Sequence, residues 1–264
     1  MKIAKLIVLA PLMVLAACSD SNMGTVTFAL TSRQAGAPSP APSAALTSGA
    51  AAVPSVTTTG DSTVIALGND TVIVRTAQLV LRKVELKRVD VAACDAVMSN
   101  GDCEEFETGA TLVSLPLGSA AVAQQVAVAA PPGTFDQLEF EIHKPSSSDD
   151  AAFIAANPDF ATISIRVTGT FSQAGTRTEF AFTSDVDQSE EANLVPPVTV
   201  AGGQTLNVTL RVDISGWFLN SGKTALVDPA SANNGQPNQS VVANNIQASF
   251  QAFEDDNHDG QADH

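Results

Sequence analysis

Alternating apolar and polar residues recur along most of the chain and predict short β-strands. The clearest run lies at 206–214, where every second residue is aliphatic and the residues between are polar, and similar runs occur at 24–32, 138–143, 163–168 and 180–182. Because successive side chains of a strand point to opposite faces, each run predicts a strand with one buried face. Such alternation favours an antiparallel sheet over a parallel sheet that is buried on both faces.

Turn signals separate these runs and predict hairpins. Gly68-Asn69-Asp70 lies between two runs of β-branched residues, and these residue types accept the backbone conformations of tight hairpin turns. Along 79–86 the apolar positions change from odd to even numbers near Arg82 and Lys83. A single strand through this segment requires a β-bulge at that point.

Two segments depart from the strand pattern. Acidic and hydroxyl residues at 148–150 suit a helix N-terminus and predict a short helix near 150–156. Apolar residues at 242, 246, 250 and 253 have helical spacing and predict a C-terminal helix near 241–253. The whole pattern predicts a mostly β protein, an antiparallel β-sandwich of immunoglobulin-like or transthyretin-like type.

The first seventeen residues have the organisation of a secretory signal. Two lysines precede an apolar run at 7–15, which is shorter than the ~20 residues that a membrane-spanning helix needs. The following Leu15-Ala16-Ala17-Cys18 resembles the lipobox of bacterial lipoproteins, in which the cysteine is acylated and becomes the N-terminus. We therefore predict a lipoprotein signal peptide at 1–17 and lipidation of Cys18; a plain secretory signal is the alternative.

The remaining chain divides into three parts. Residues 18–23 are predicted to be a lipidated tether, and 24–253 a single β-sandwich domain. Within it, 33–60 are rich in Ala, Pro, Ser and Thr, and this composition predicts a disordered loop. If the strand at 24–32 does not form, the tether extends to residue 59. Residues 254–264 form an acidic tail.

The net charge limits the classes of binding partner, and the cysteines bear on the cellular compartment. The formal charge is -15, and removal of the signal peptide takes away two lysines, so the mature chain is more acidic still. Such a chain repels phosphate backbones, which excludes nucleic acid as a partner. Cys94 and Cys103 flank a turn signal, and in an oxidising compartment we expect them to form a disulfide that contributes roughly 2.5–3 kcal/mol.

The acidic tail contains a candidate calcium loop. Its oxygen-bearing residues alternate, and glycine occupies the sixth position, as in the calcium loops of EF-hands, dockerins and thrombospondin type 3 repeats. The candidate ligands are Asp255, Asn257, Asp259, Gln261 and Asp263. The resemblance is incomplete, because the acidic ligand expected at position twelve is missing. A solvated acidic tail is the alternative interpretation.

Other chemistry-bearing residues have no recognisable motif. Neither a nucleophile-elbow nor a metalloprotease pattern occurs, and the sequence predicts no catalytic residue. His143 is interpreted as a strand-edge residue, and the acidic pairs at 139–141 and 185–191 as surface charge. Trp217 is interpreted as a core residue, with an exposed sugar-stacking residue as the alternative.

The chain resembles bacterial lipoproteins that carry a β-sandwich domain of unknown function. The resemblance rests on the lipobox and on three stretches, at 142–145, 164–171 and 248–256. The resemblance assigns no activity. It implies a lipid-anchored extracytoplasmic protein at the outer membrane or cell surface, the outer membrane being favoured by the absence of Asp after Cys18. We expect a structural or binding module with a protein or glycan ligand that the sequence does not identify. An extracytoplasmic hydrolase and a pilus-like or adhesive subunit are the alternatives.

Overall fold

The computed structural model describes residues 24–32, 53–89, 105–107, 109–118, 123–130, 132–203 and 205–254. These residues form thirteen strands, two α-helices and three short 3-10 helices. The strands are β1 Gly24–Ser32, β2 Ser55–Thr59, β3 Ser62–Leu67, β4 Asp70–Arg88, β5 Glu105–Glu107, β6 Thr111–Ser114, β7 Ala123–Ala130, β8 Gly133–Ile142, β9 Ile165–Gln173, β10 Thr176–Ser184, β11 Gln188–Val200, β12 Thr205–Val212 and β13 Phe250–Glu254. The α-helices are α1 Ala151–Ala156 and α2 Gln239–Gln247, and the 3-10 helices are Pro158–Phe160, Ile214–Gly216 and Pro229–Ala232.

The smaller sheet has the strand order β13-β12-β1-β7. Strands β1 and β7 are antiparallel, whereas β1 and β12 run parallel, with Val26 opposite Leu206. The predicted sandwich therefore contains one parallel pair. Because β1 and β12 come from opposite ends of the domain, no tight hairpin turn constrains their relative direction.

The larger sheet is organised around β4, which is 19 residues long. Its first half pairs with β3 and β9, its middle with β6, and its second half with β5 and β8. Strands β2, β10 and β11 extend the sheet beyond β3, β9 and β8. The strand β4 thus connects two differently paired parts of the larger sheet.

The hairpin turn predicted before β4 and the bulge predicted within it are both confirmed. Leu67 pairs with Asp70 across a two-residue turn, in which Gly68 has a φ of +63°. The pairing of β4 with β8 shifts register between Leu81 and Lys83, at the predicted bulge. Val84, beyond the bulge, is buried like Leu81 before it. The apolar residues on both sides of the bulge therefore face the same core.

The apolar faces of the two sheets form one core, which confirms the predicted mostly β sandwich. Phe140 of β8 meets Phe250 of β13 with ring centroids 6.0 Å apart, so the contact joins the two sheets. Elsewhere Phe182 packs edge-on against Phe218, at a centroid distance of 5.4 Å. Edge-to-face packing of this kind adds to the stabilisation that burial of the rings provides.

The two predicted helices are present, but the second is shorter than predicted. Helix α1 matches its predicted position, although the side chain of Asp150 makes no capping hydrogen bond. Helix α2 ends at Gln247, and Phe250–Glu254 is a strand that pairs with β12. The helical spacing of Ile246 and Phe250 was misleading, because both side chains reach the core from different kinds of structure. Pairing with β12 supplies the backbone hydrogen bonds that a continued helix would have made.

The predicted loop boundary at 60 is also wrong, because Ser55–Thr59 is strand β2, paired with β3. Four of its five residues are exposed, so burial gives little sign of this strand in the sequence. Three consecutive threonines nevertheless suit an edge strand, since β-branched residues favour extended backbone. The rest of the predicted loop, at 33–52, lies outside the described residues. Among the described helices, none has the length and apolar character needed to cross a membrane.

Candidate functional site

Most of the predicted site residues lie outside the part of the chain that the structure describes. This holds for the lipidation site Cys18, for the predicted disulfide pair Cys94 and Cys103, and for the predicted calcium ligands at 255–263. Each of these assignments stays a prediction. The described residues nevertheless include His143, Trp217 and the acidic residues on β8 and at 185–191.

Trp217 belongs to the core, as predicted from the sequence. Its side chain is 1% exposed, and its indole Nε1 donates a hydrogen bond to Ser249 Oγ at 2.9 Å. An aromatic residue must expose one ring face to stack on a sugar, so Trp217 is not a glycan-binding platform. Its position instead fixes the segment after β12 against the end of α2.

Glu141, His143 and Asp187 come together at one end of the larger sheet, and we call them the His143 cluster. Glu141 and His143 flank the buried Ile142 and therefore point to the outer face of β8. The β8–β11 register pairs Ile142 with Gln188, which places Asp187 beside His143. Their closest atoms, His143 Nε2 and Asp187 Oδ2, are 3.5 Å apart. One ligand atom from each of the three side chains lies within 4.8 Å of the others.

Arg82 borders the His143 cluster because the bulge in β4 directs its side chain toward the end of β8. Its guanidinium lies 3.5 Å from Glu141, 3.4 Å from Asp149 and 3.3 Å from Asp150. Partial burial alone would lower the pKa of Arg82, but the hydrogen bond with Asp150 and the charges of the three carboxylates raise it above its ordinary value. Arg82 therefore stays cationic, and its one charge is shared among three carboxylates.

The same outer face continues into a second charged group around Lys87. Lys87 Nζ lies 2.8 Å from Glu139 and 3.8 Å from Glu191, so it links β4, β8 and β11. Ser189 Oγ also donates to Glu139, at 2.6 Å. The hydrogen bond from Lys87, and then that from Ser189, lowers the pKa of Glu139 below its ordinary value of 4.5. The hydrogen bond to Glu139 in turn raises the pKa of Lys87. These charges satisfy one another and hold the strands in register.

A surface groove of about 470 Å³ lies elsewhere, along β4 and β6. Its charged lining residues are Asp61 and Arg75, and Arg75 is already paired with Glu179, at 2.5 Å. Neither histidine nor cysteine is among the described residues that line it. The groove thus has the shape of a binding site but few groups for acid–base or metal chemistry.

Sequence reasoning missed the His143 cluster because its members were interpreted one at a time, as an edge residue and as surface charge. Their proximity depends on the pairing of β8 with β11, two strands separated in sequence by α1, β9 and β10. The alternation along 138–143 does place Glu141 and His143 on one wet face, and that was the available signal. No short motif indicates which later strand supplies the third residue.

Comparisons with known proteins do not assign the site. No family model matches the sequence, and neither a curated protein nor a solved structure matches it.

Proposed function

We propose that this protein is a lipid-anchored, extracytoplasmic β-sandwich that acts as a non-catalytic binding module. The observation that carries the proposal is Leu15-Ala16-Ala17-Cys18, placed directly after a basic start and a short apolar run. Covalent acyl chains stabilise membrane attachment by about 0.8 kcal/mol per buried methylene, so two or three chains hold a protein at a membrane without a spanning segment. The outer membrane or the cell surface is the proposed location.

The surroundings of His143 favour binding over hydrolysis. Among the described residues, its polar partners are the backbone carbonyl of Lys144 and the carboxylate of Asp187, and neither is a hydroxyl or thiol that a histidine base would activate. Asp187 is 69% exposed at its side chain, so water has free access to the cluster. Hydrolytic sites usually hold a nucleophile against their base and restrict water around them. An open group of carboxylates and imidazole is better suited to hold a ligand.

The experiment that tests the anchor is metabolic labelling with a palmitate analogue in a bacterial host. We expect the parent to be labelled, to fractionate with membranes, and to accumulate as an unprocessed precursor when the lipoprotein signal peptidase is inhibited. Cys18→Ser should abolish labelling, whereas the matched control Cys94→Ser should be labelled like the parent. An unlabelled parent, or equal labelling of Cys18→Ser, would contradict lipid attachment at Cys18.

A further inference from the structure

We infer that the His143 cluster is a binding site for a divalent transition metal ion, with Zn²⁺ as the natural probe. The ligand atoms of Glu141, His143 and Asp187 lie within 4.8 Å of one another. Ligands of one tetrahedral Zn²⁺ ion, each at about 2.0–2.2 Å from the metal, are separated by roughly 3.4 Å. Side-chain rotations that move the ligand atoms by about 1 Å therefore bring three protein ligands around one ion. They leave a fourth position for water or an external ligand.

The tautomer of His143 supports metal binding. Its Nδ1 is hydrogen-bonded to the backbone carbonyl of Lys144, and since a carbonyl can only accept, Nδ1 must carry the proton. In the neutral ring Nε2 then presents its lone pair, yet it faces Asp187 Oδ2 at 3.5 Å. A cation held between these two atoms would accept a lone pair from each of them. Orientation of the ring by an Nδ1–carbonyl bond is the usual arrangement for histidines that bind metal through Nε2.

The local charge also favours a cation. Arg82 is shared by Glu141, Asp149 and Asp150, and Asp187 adds a fourth carboxylate beside His143. Among these described groups the carboxylates outnumber the guanidinium four to one. A bound dication would offset most of this excess, whereas an anionic ligand would be repelled.

The scaffold holds the donors close to the geometry that the ion needs. Glu141 lies near the end of β8 and His143 directly follows that strand, while Asp187 directly precedes the paired strand β11. The backbone carbonyl of Asp187 also accepts a hydrogen bond from Gln247 Nε2 of α2, at 3.0 Å. Ligands held at the adjoining ends of two paired strands lose little freedom when the ion binds, which favours affinity.

The donor set selects the class of metal. Imidazole nitrogen with carboxylate oxygens suits Zn²⁺ and its first-row neighbours, whereas Ca²⁺ and Mg²⁺ prefer shells made only of oxygen. The site is therefore chemically distinct from the predicted calcium loop at 255–263. It is also independent of the proposed lipid anchor, since metal binding and acylation are measured separately.

The test is isothermal titration of the full mature chain with ZnCl₂, in the presence and absence of CaCl₂. The variants are His143→Ala and Asp187→Asn, and the matched control is His258→Ala, which removes a histidine of the tail. Replacement of Zn²⁺ by Co²⁺ provides a visible spectrum that reports nitrogen and oxygen ligation.

We expect one Zn²⁺ per chain, not displaced by Ca²⁺, and retained by His258→Ala. Loss of an outer-shell partner typically weakens metal affinity by about 10–100-fold, so loss of a direct ligand in His143→Ala or Asp187→Asn should weaken it by at least about tenfold. Because Asp187 is largely exposed, Asp187→Asn should fold normally. If His143→Ala fails to fold, the Zn²⁺ affinity of Asp187→Asn still tests the site. No Zn²⁺ binding by the parent, or binding that Asp187→Asn leaves unchanged, would overturn the inference.

Discussion

Asn245 provides the sharpest test of how the smaller elements are held against the sandwich. It lies on α2, is buried, and its Nδ2 donates to the backbone carbonyls of Trp217 at 3.0 Å and Leu219 at 2.8 Å. Its Oδ1 accepts from Lys223 Nζ. These bonds join α2 to the segment after β12, which carries Trp217 and Phe218 into the core.

Asn245→Ala should destabilise the protein by about 2–4 kcal/mol. The substitution removes both donors and leaves two buried carbonyls without their partner, and a buried polar group that loses its partner costs about 1–3 kcal/mol. Alanine favours helix over asparagine by up to about 0.7 kcal/mol, which offsets a small part of the loss. Asn244→Ala is the matched control, because Asn244 is the adjacent, exposed residue of the same helix.

The assay is urea unfolding followed by the fluorescence of Trp217, which is the one tryptophan of the chain and is buried beside Asn245. Asn244→Ala should unfold at the same urea concentration as the parent or slightly above it. Asn245→Ala should unfold at a clearly lower concentration with an unchanged dependence on urea. If the free energies of unfolding of the two variants differed by less than about 0.5 kcal/mol, the buried hydrogen bonds of Asn245 would not hold α2 in place, since surface substitutions usually stay within that range.

Two further predictions concern the larger sheet. A Cβ added to Gly169 would lie 1.9 Å from the carbonyl oxygen of Ile73, so Gly169→Ala should force β9 away from β4 and cost about 1–3 kcal/mol in thermal unfolding; an unchanged melting temperature would contradict this close approach. Glu139→Gln should lower the free energy of unfolding by about 0.5–1 kcal/mol at pH 7. Because folding lowers the pKa of Glu139, through Lys87 above all, this stabilisation is present above the unfolded value of 4.5 and is lost as pH falls through the folded value. Parent and variant should thus converge in acid, and a difference that persists there would contradict the assignment.

Local features of the fold could be predicted because their causes are local. The turn at 68–69 follows from residues that tolerate positive φ, and the bulge at 82–83 follows from a change in the parity of buried positions within one strand. Both depend on a few neighbouring residues. The alternation that predicts the sandwich is local in the same way, since burial of one strand face is visible at every second residue.

Long-range pairing could not be predicted from the same pattern. Strand β1 pairs in parallel with β12, and residues 250–254 form a strand where the sequence predicts a helix. Both features depend on which strand edges meet when the chain folds. The His143 cluster has the same origin, because only the β8–β11 register brings Asp187 to His143. A histidine and an aspartate about forty residues apart carry no mark of their proximity when the sequence is read alone.

Lipid attachment at Cys18 can be measured by mass spectrometry of the N-terminal peptide of the mature protein, purified from membranes. We expect a chain that begins at Cys18, with a diacylglyceryl group on the sulfur and residues 1–17 removed. A mature chain that begins at another residue, or that carries an unmodified Cys18 thiol, would contradict the proposal that this β-sandwich is displayed from a lipid anchor.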